Sequence, residues 1–149
     1  MKKLLLALFG ICCGVSLFAA TGSTTPQGWY DDFAAAQKEA KKTNRPMLLL
    51  FTGSDWCPYC VKLKKNVLDT AEFKKLAAEK LILVYLDFPS RVKLPAELQV
   101  QNRELAKKYQ VDGFPGTVVL DPSGKARGEV WGYQPDYIKS VEAILDLIK

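Results

Sequence analysis

Apolar and polar residues follow one another along this chain in blocks whose spacing predicts helices and strands. Two short, continuously apolar runs, residues 47–52 and 81–88, are typical of strands that are covered on both faces. Around them, apolar residues recur every three or four positions, which predicts helices with one buried stripe. The predicted helices cover residues 29–43, 57–68, a short segment carrying Phe73, Leu76 and Ala77, then 95–109 and 135–149.

A hairpin is predicted before the last helix. Residues 121–124, Asp-Pro-Ser-Gly, form a strong turn sequence between predicted strands at 117–120 and 126–131. The order of elements is then helix, strand, helices, strand, helix, hairpin and helix. This order predicts an α/β sandwich in which helices flank a central mixed sheet of about four strands.

The first twenty residues have the pattern of a secretory signal peptide. Lys2 and Lys3 supply the positive start, residues 4–18 the apolar stretch and Ala19-Ala20 a small-residue end. The apolar stretch is shorter than the roughly 20 residues of a membrane-spanning helix, which favours cleavage over an uncleaved anchor. The pattern leaves the cleavage site open among positions 19 to 22.

The remainder of the chain has the length of one domain. Residues 21–28 are rich in Thr, Ser, Gly and Pro and are predicted to be a flexible lead-in, and residues 29–149 form the domain. The formal net charge is +5, of which Lys2 and Lys3 contribute two units. Such a mild charge, dispersed over predicted helix faces, argues against nucleic acid as a partner.

The chain has four cysteines and no histidine. Cys12 and Cys13 lie in the leader, where we interpret them as apolar filler, with acylation as the alternative. Cys57 and Cys60 are then the one pair in the mature domain, a helical turn apart between a strand and a helix. A loop this short is too small to staple the domain, which favours redox chemistry over a structural disulfide. Two thiolates alone leave a zinc site half built, so only linear or shared copper(I) binding stays open as a metal function.

The two thiols are predicted to have different tasks. A free thiol with a pKa of about 8.5 is mostly protonated at neutral pH, but a helix N-terminus favours the thiolate. Cys57 is predicted at such a terminus, with Pro58 in the first helical turn. We therefore expect Cys57 to attack a substrate disulfide and Cys60, less exposed, to resolve the mixed disulfide.

Two motifs resemble the signatures of the thioredoxin family. They are Trp56-Cys57-Pro58-Tyr59-Cys60 after an apolar strand and Gly113-Phe114-Pro115 before the hairpin strand. The resemblance extends over residues 29–149 and implies a thioredoxin-like sandwich with a cis peptide bond between Phe114 and Pro115, facing the first thiol. The leader, the helix-first start and the long connection at 87–109 are most similar to exported thioredoxin-like oxidoreductases of the DsbH type.

An apolar rim around Cys57 is predicted to bind an extended substrate segment, with ordinary packing as the alternative. Gly116, where relatives of the family often have threonine, is expected to leave more room there. The predicted substrate-binding residues are Trp56, Pro58, Tyr59, Phe114 and Pro115.

The chain also departs from the family pattern. Cytosolic thioredoxins carry a buried aspartate six residues before the first cysteine, and this chain has Phe51, so a buried carboxylate that assists Cys60 is expected to be absent. We interpret Asp55 as an exposed loop acid. Pro58 and Tyr59 bring no positive charge between the thiols, which suggests a reduction potential of about −200 to −270 mV.

These observations predict an exported, periplasmic thiol–disulfide oxidoreductase that exchanges or reduces disulfides of protein or peptide substrates. The resemblance implies no cofactor beyond the dithiol, a monomer, and a membrane-bound or soluble redox partner. The alternatives are a disulfide oxidase or isomerase in the same compartment and a copper-binding thioredoxin-like module.

Overall fold

The computed structural model describes residues 24–148. The predicted signal peptide, residues 1–20, lies outside the described residues. Among the helices of residues 24–148, none has the length and apolar character required to cross a membrane.

A four-stranded mixed sheet forms the centre of the molecule, as the sequence predicts. The strand order is β2-β1-β3-β4, in which β1 and β2 are parallel and the other neighbours are antiparallel. The strands are β1 (Met47–Thr52), β2 (Ile82–Asp87), β3 (Gly116–Leu120) and β4 (Ala126–Trp131).

Helices cover both faces of this sheet. They are α1 (Phe33–Thr43), α2 (Pro58–Leu63), α3 (Ala71–Lys80), α4 (Ala96–Lys108) and α5 (Tyr137–Asp146), and a π-helical turn (Lys64–Leu68) continues α2.

The side chains of β1 alternate between two cores, because successive residues of a strand point to opposite faces. Leu48 and Leu50 pack with residues of α2, α3 and α5. Met47, Leu49 and Phe51 pack with residues of α1 and α4. This two-sided burial accounts for the continuous apolar run of the strand.

The first helix is shorter than predicted. It begins at Phe33 instead of residue 29, because the side chain of Asp32 caps it by accepting hydrogen bonds from the N–H groups of Ala34 (2.8 Å) and Ala35 (3.2 Å). Tyr30, two residues before Asp32, forms an isolated parallel bridge with β2. Its N–H donates to Leu83 O at 2.8 Å, and its carbonyl accepts from Tyr85 N at 2.7 Å, so it lies along the outer edge of β2.

Strand directions bring three connecting segments together at one end of the sheet, where β1 and β2 end and β3 begins. Thr52, the last residue of β1, pairs with Asp87, the last residue of the parallel β2. Gly116, the first residue of the antiparallel β3, pairs with Phe51. The segments 53–57, 88–95 and 113–115 therefore start or end at neighbouring positions, and the cysteine pair lies among them.

Candidate active site

Cys57 and Cys60 form a disulfide whose Cα atoms are 5.2 Å apart. Cys57 is the N-cap of α2, and Pro58 is the first helical residue, as predicted. The backbone N–H of Cys60 donates to Cys57 Sγ at 3.2 Å, while Cys57 N donates to Gly53 O at 2.9 Å. A backbone donor therefore already points at the sulfur of the first cysteine, where it would favour negative charge.

The two cysteines are equally buried, which corrects the expectation that Cys60 is the less exposed. Each cysteine is 4% exposed. The reason is that the 113–115 segment covers Cys57, whose Sγ lies 3.7 Å from Phe114 O. The surroundings distinguish them instead, since Cys60 lines a pocket of about 210 Å³ together with Thr52, Ser54 and Tyr85.

Aromatic rings surround Cys57 on the surface. Trp56 and Tyr59 are 49% and 59% exposed. Trp56 meets Phe114 edge to face at 5.8 Å between ring centroids, and Phe114 contacts Phe88 at 5.0 Å. Phe88 is a member of this cluster that the sequence did not single out, because it looked like the end of a buried strand. We call Trp56, Tyr59, Phe88 and Phe114 the aromatic rim.

The two prolines of the predicted site differ in exposure. The Phe114–Pro115 peptide bond is cis, in agreement with the resemblance, and Pro115 is buried at the start of β3. Pro58 is exposed beside Cys57.

Two glycines accommodate tryptophan rings near the site. A Cβ on Gly53 would lie 2.5 Å from Cε2 of Trp56, so glycine lets the indole lie against the chain and donate from Nε1 to Phe88 O at 2.8 Å. A Cβ on Gly116 would lie 2.5 Å from Cζ3 of Trp131. The space beside Gly116 is therefore filled by that ring, and the expectation of a roomier groove there is wrong.

A buried carboxylate does lie near the site, although Phe51 stands six residues before Cys57, where cytosolic thioredoxins carry their aspartate. Asp87 is 3% exposed, and its oxygens accept from the N–H (3.0 Å) and the hydroxyl (2.6 Å) of Ser54. Asn102 Nδ2 donates to its backbone carbonyl at 2.9 Å. The signal in the sequence is an aspartate that ends an otherwise apolar strand.

Tyr85 lies between that carboxylate and the cavity behind Cys60. Burial removes its hydroxyl from water and, together with the negative charge of Asp87, raises the pKa of Tyr85 to about 12. The phenol therefore stays protonated at physiological pH. It lines the cavity as a neutral hydroxyl beside Thr52 and Ser54.

Asp55 is more than the exposed loop acid that the sequence suggested. Its carboxylate accepts hydrogen bonds from the N–H groups of Ser90 (2.9 Å) and Arg91 (2.7 Å). The hydrogen bond from Ser90 is the main cause that lowers the pKa of Asp55 below its usual value, and the Arg91 N–H and, to a smaller extent, the Arg91 guanidinium lower it further. Asp55 thus fastens the segment after β2 to the segment before Cys57.

Comparisons with known proteins agree with this geometry. The family model of the thioredoxin-like domain matches residues 33–147. The disulfide bond reductase DsbH of Chlamydia pneumoniae is 36% identical over 122 residues, which cover 79% of this chain and 73% of that protein.

Two solved structures show the same architecture. A structure described as DsbH oxidoreductase has a TM-score of 0.74 at 35% identity and covers 84% of this chain and 92% of its own. A thioredoxin from Thermus thermophilus has a TM-score of 0.61 at 23% identity, covers 80% and 85% respectively, and shows the fold alone. The chain therefore belongs to the thioredoxin-like family and is a DsbH-like thiol–disulfide oxidoreductase with a Cys57–Cys60 disulfide.

Proposed function

We propose that this protein is an exported oxidoreductase that reduces or exchanges disulfides of protein or peptide substrates. Cys57 is the attacking thiol, and Cys60 resolves the mixed disulfide. The observation that carries the proposal is the position of Cys57 at the N-cap of α2, where the N–H of Cys60 donates to its sulfur. In the neighbouring aromatic rim, Trp56 and Tyr59 are exposed and Phe88 and Phe114 are half-buried, so the rim offers an apolar contact to a substrate.

The reaction follows from the two thiols. The Cys57 thiolate attacks one sulfur of a substrate disulfide, so a mixed disulfide forms and the other substrate sulfur leaves as a thiolate. The Cys60 thiolate then attacks Cys57 Sγ, which releases the first substrate sulfur and forms the Cys57–Cys60 disulfide. Two electrons pass to the substrate in each cycle. A membrane-bound or soluble redox partner returns them.

The substrate is proposed to lie against Trp56, Pro58, Tyr59, Phe114 and Pro115, the residues that surround Cys57. Trp56 and Tyr59 supply exposed aromatic surface. Pro115 immediately precedes β3, and we propose that an extended peptide aligns its backbone beside the 113–115 segment.

The reductase direction is supported by two points. The relative from Chlamydia pneumoniae is called a disulfide bond reductase. Neither Pro58 nor Tyr59 brings a positive charge that would stabilise the thiolate and so make the protein a strong oxidant. We propose further that residues 1–20 direct export to the periplasm and that the mature domain, residues 29–149, acts as a monomer.

An insulin reduction assay with dithiothreitol as electron source tests the activity, with the Cys57→Ala and Cys60→Ala variants as controls. Wild type should accelerate reduction, and both variants should lose the acceleration. Equilibration with a glutathione series then gives the direction. A reduction potential near −120 mV, typical of a strong oxidant, would favour the oxidase alternative. Copper bound stoichiometrically, together with an absence of insulin reduction, would favour the copper-binding module.

A further inference from the structure

A cavity of about 400 Å³ adjoins the aromatic rim and is rich in positive charge. The segment after β2 and one face of α4 form its walls. Three of the side chains that line it, Arg91, Lys93 and Arg103, are cationic and exposed. No ion pair within residues 24–148 involves any of the three.

The acids near this cavity offset its positive charge only in part, because three cationic side chains stand against two carboxylates. Asp87 also lines it, but both of its carboxylate oxygens accept hydrogen bonds from Ser54 and the residue is buried. Asp55 lies close enough to Arg91 for the guanidinium to lower its pKa after the larger effect of the Ser90 N–H, but its oxygens already bind the Ser90 and Arg91 amides. The cavity therefore presents three cations and no carboxylate that is free of other hydrogen bonds among the described residues.

The cavity is continuous with the surface around Cys57. Phe88 lines it and also contacts the Phe114 ring at 5.0 Å, and the carbonyl of Phe114 lies 3.7 Å from Cys57 Sγ. Trp56 is joined to the same wall through its hydrogen bond to Phe88 O. A peptide chain that contacts the rim therefore reaches the cavity within a few residues of its cysteine, since an extended chain advances about 3.3 Å per residue.

The wall is also held in place. Asp55 binds two consecutive amides of the segment, and Gln99 Nε2 on α4 donates to Leu94 O at 2.7 Å. Cations on a fixed wall lose less freedom on binding than cations on a free loop, which favours a binding role over a merely solvated surface.

We propose that this cavity binds acidic side chains that flank the disulfide of a peptide or protein substrate, so that the enzyme prefers disulfides in acidic sequence. The inference rests on the proposed function and names its substrate class. Arg91 and Arg103 would pair with carboxylates through their forked guanidinium groups, and Lys93 through its ammonium group.

The test uses three disulfide peptides that differ only in the residues on both sides of each cysteine, which are Glu, Gln or Lys. Each kcat/KM is divided by the rate of the same peptide with dithiothreitol, which removes differences in intrinsic disulfide reactivity. Wild type should prefer the Glu peptide over the Gln peptide by about five- to tenfold at low salt, and the Lys peptide should be the poorest. The preference should decline towards one in about 1 M salt, where the screening length is about 3 Å.

Two triple variants with the same change of charge locate the effect. R91Q/K93Q/R103Q should bring the Glu-to-Gln ratio to about one. K75Q/K80Q/K139Q, whose exposed lysines lie on α3 and α5 on the other face of the sheet, should keep the wild-type ratio.

Three results would overturn the inference while leaving the reductase function intact. They are equal normalised rates of wild type on the Glu and Gln peptides, an unchanged ratio in R91Q/K93Q/R103Q, and an equal loss of the ratio in the control triple variant. Failure of wild type to reduce even the Gln peptide would instead overturn the proposed function, and this inference with it.

Discussion

The carboxylate of Asp87 binds both the backbone N–H and the hydroxyl of Ser54, at 3.0 and 2.6 Å. This pair joins the end of β2 to the segment that leads from β1 to Cys57. Because Asp87 is buried, each of these hydrogen bonds replaces one that the carboxylate would otherwise make with water.

Asp87→Asn should therefore destabilise the protein by about 1–3 kcal/mol, because an NH2 donor replaces one of the two accepting oxygens and the remaining hydrogen bond loses its charge assistance. Denaturant unfolding measures the change. Ser54→Ala serves in a double-mutant cycle, and the two effects should be non-additive by at least about 0.5 kcal/mol. Simple additivity would mean that the contact does not couple the two residues.

The two cysteine variants should show which thiol attacks the substrate and which resolves the mixed disulfide. Cys60→Ala should accumulate mixed disulfides with substrate proteins, because Cys57 still attacks and nothing resolves the product. Cys57→Ala should accumulate far less, because Cys60 lies beside Thr52, Ser54 and Tyr85 and only Cys57 adjoins the 113–115 segment of the proposed substrate surface. Non-reducing electrophoresis after acid quenching compares them. Similar amounts in both variants would contradict the assignment of the attacking thiol.

Tyr59→His should make the protein more oxidising. A histidinium between the cysteines stabilises the thiolate, so the pKa of the Cys57 thiol should fall and the reduced form should gain stability. A shift of roughly 30 mV corresponds to about 1.4 kcal/mol for this two-electron couple, and the exposure of Tyr59 favours a change of that order over a larger one. Thiolate absorbance against pH and glutathione equilibria report the two quantities, with Tyr59→Phe as the uncharged control. A potential unmoved by histidine would refute the electrostatic reasoning.

Asp55 should make the protein sensitive to acid. Its folded-state pKa lies below the usual value, chiefly through the Ser90 N–H, so its contribution to stability is present above the usual carboxyl pKa of about 3.9 and is lost as pH falls through the lowered value. Asp55→Asn should lower the melting temperature by a few degrees at pH 7 and have little effect near pH 2.

The matched control for this prediction is Asp112→Asn, which changes an exposed acid outside these contacts. It should have little effect at either pH. A difference between Asp55→Asn and wild type that persists undiminished in acid would show that the carboxylate charge is not what holds the segment.

Local pattern was sufficient to predict much of this structure. The apolar run at 47–52, the turn at 121–124 and the Cys57–Cys60 spacing each carry their information in neighbouring residues, and they gave the strands, the hairpin and the cysteine pair. The start of α1 was misplaced even though Asp32 is a typical N-cap residue, because Trp29 extends the apolar period one turn too far.

The rest depended on contacts between segments that are far apart in the sequence. Asp55 meets Ser90 and Arg91, and Asp87 meets Ser54, only because β1 and β2 end side by side. The equal burial of the cysteines likewise depends on where Phe114 lies. The pattern within one segment does not encode such tertiary contacts, which is why the roles of Asp55 and Asp87 could not be assigned from the sequence.

The pairing of Tyr30 with β2 has a consequence for self-association. An outer strand with unpaired backbone groups is a template for another sheet, and Tyr30 occupies the N–H of Tyr85 and the carbonyl of Leu83. A chain shortened to begin at Asp32 would still contain all the helices and strands described within residues 24–148, yet it would expose this edge to strand addition and aggregation. Tyr30 therefore shields the outer edge of β2, and we expect removal of residues 24–31 to increase self-association, which light scattering of the shortened protein would measure.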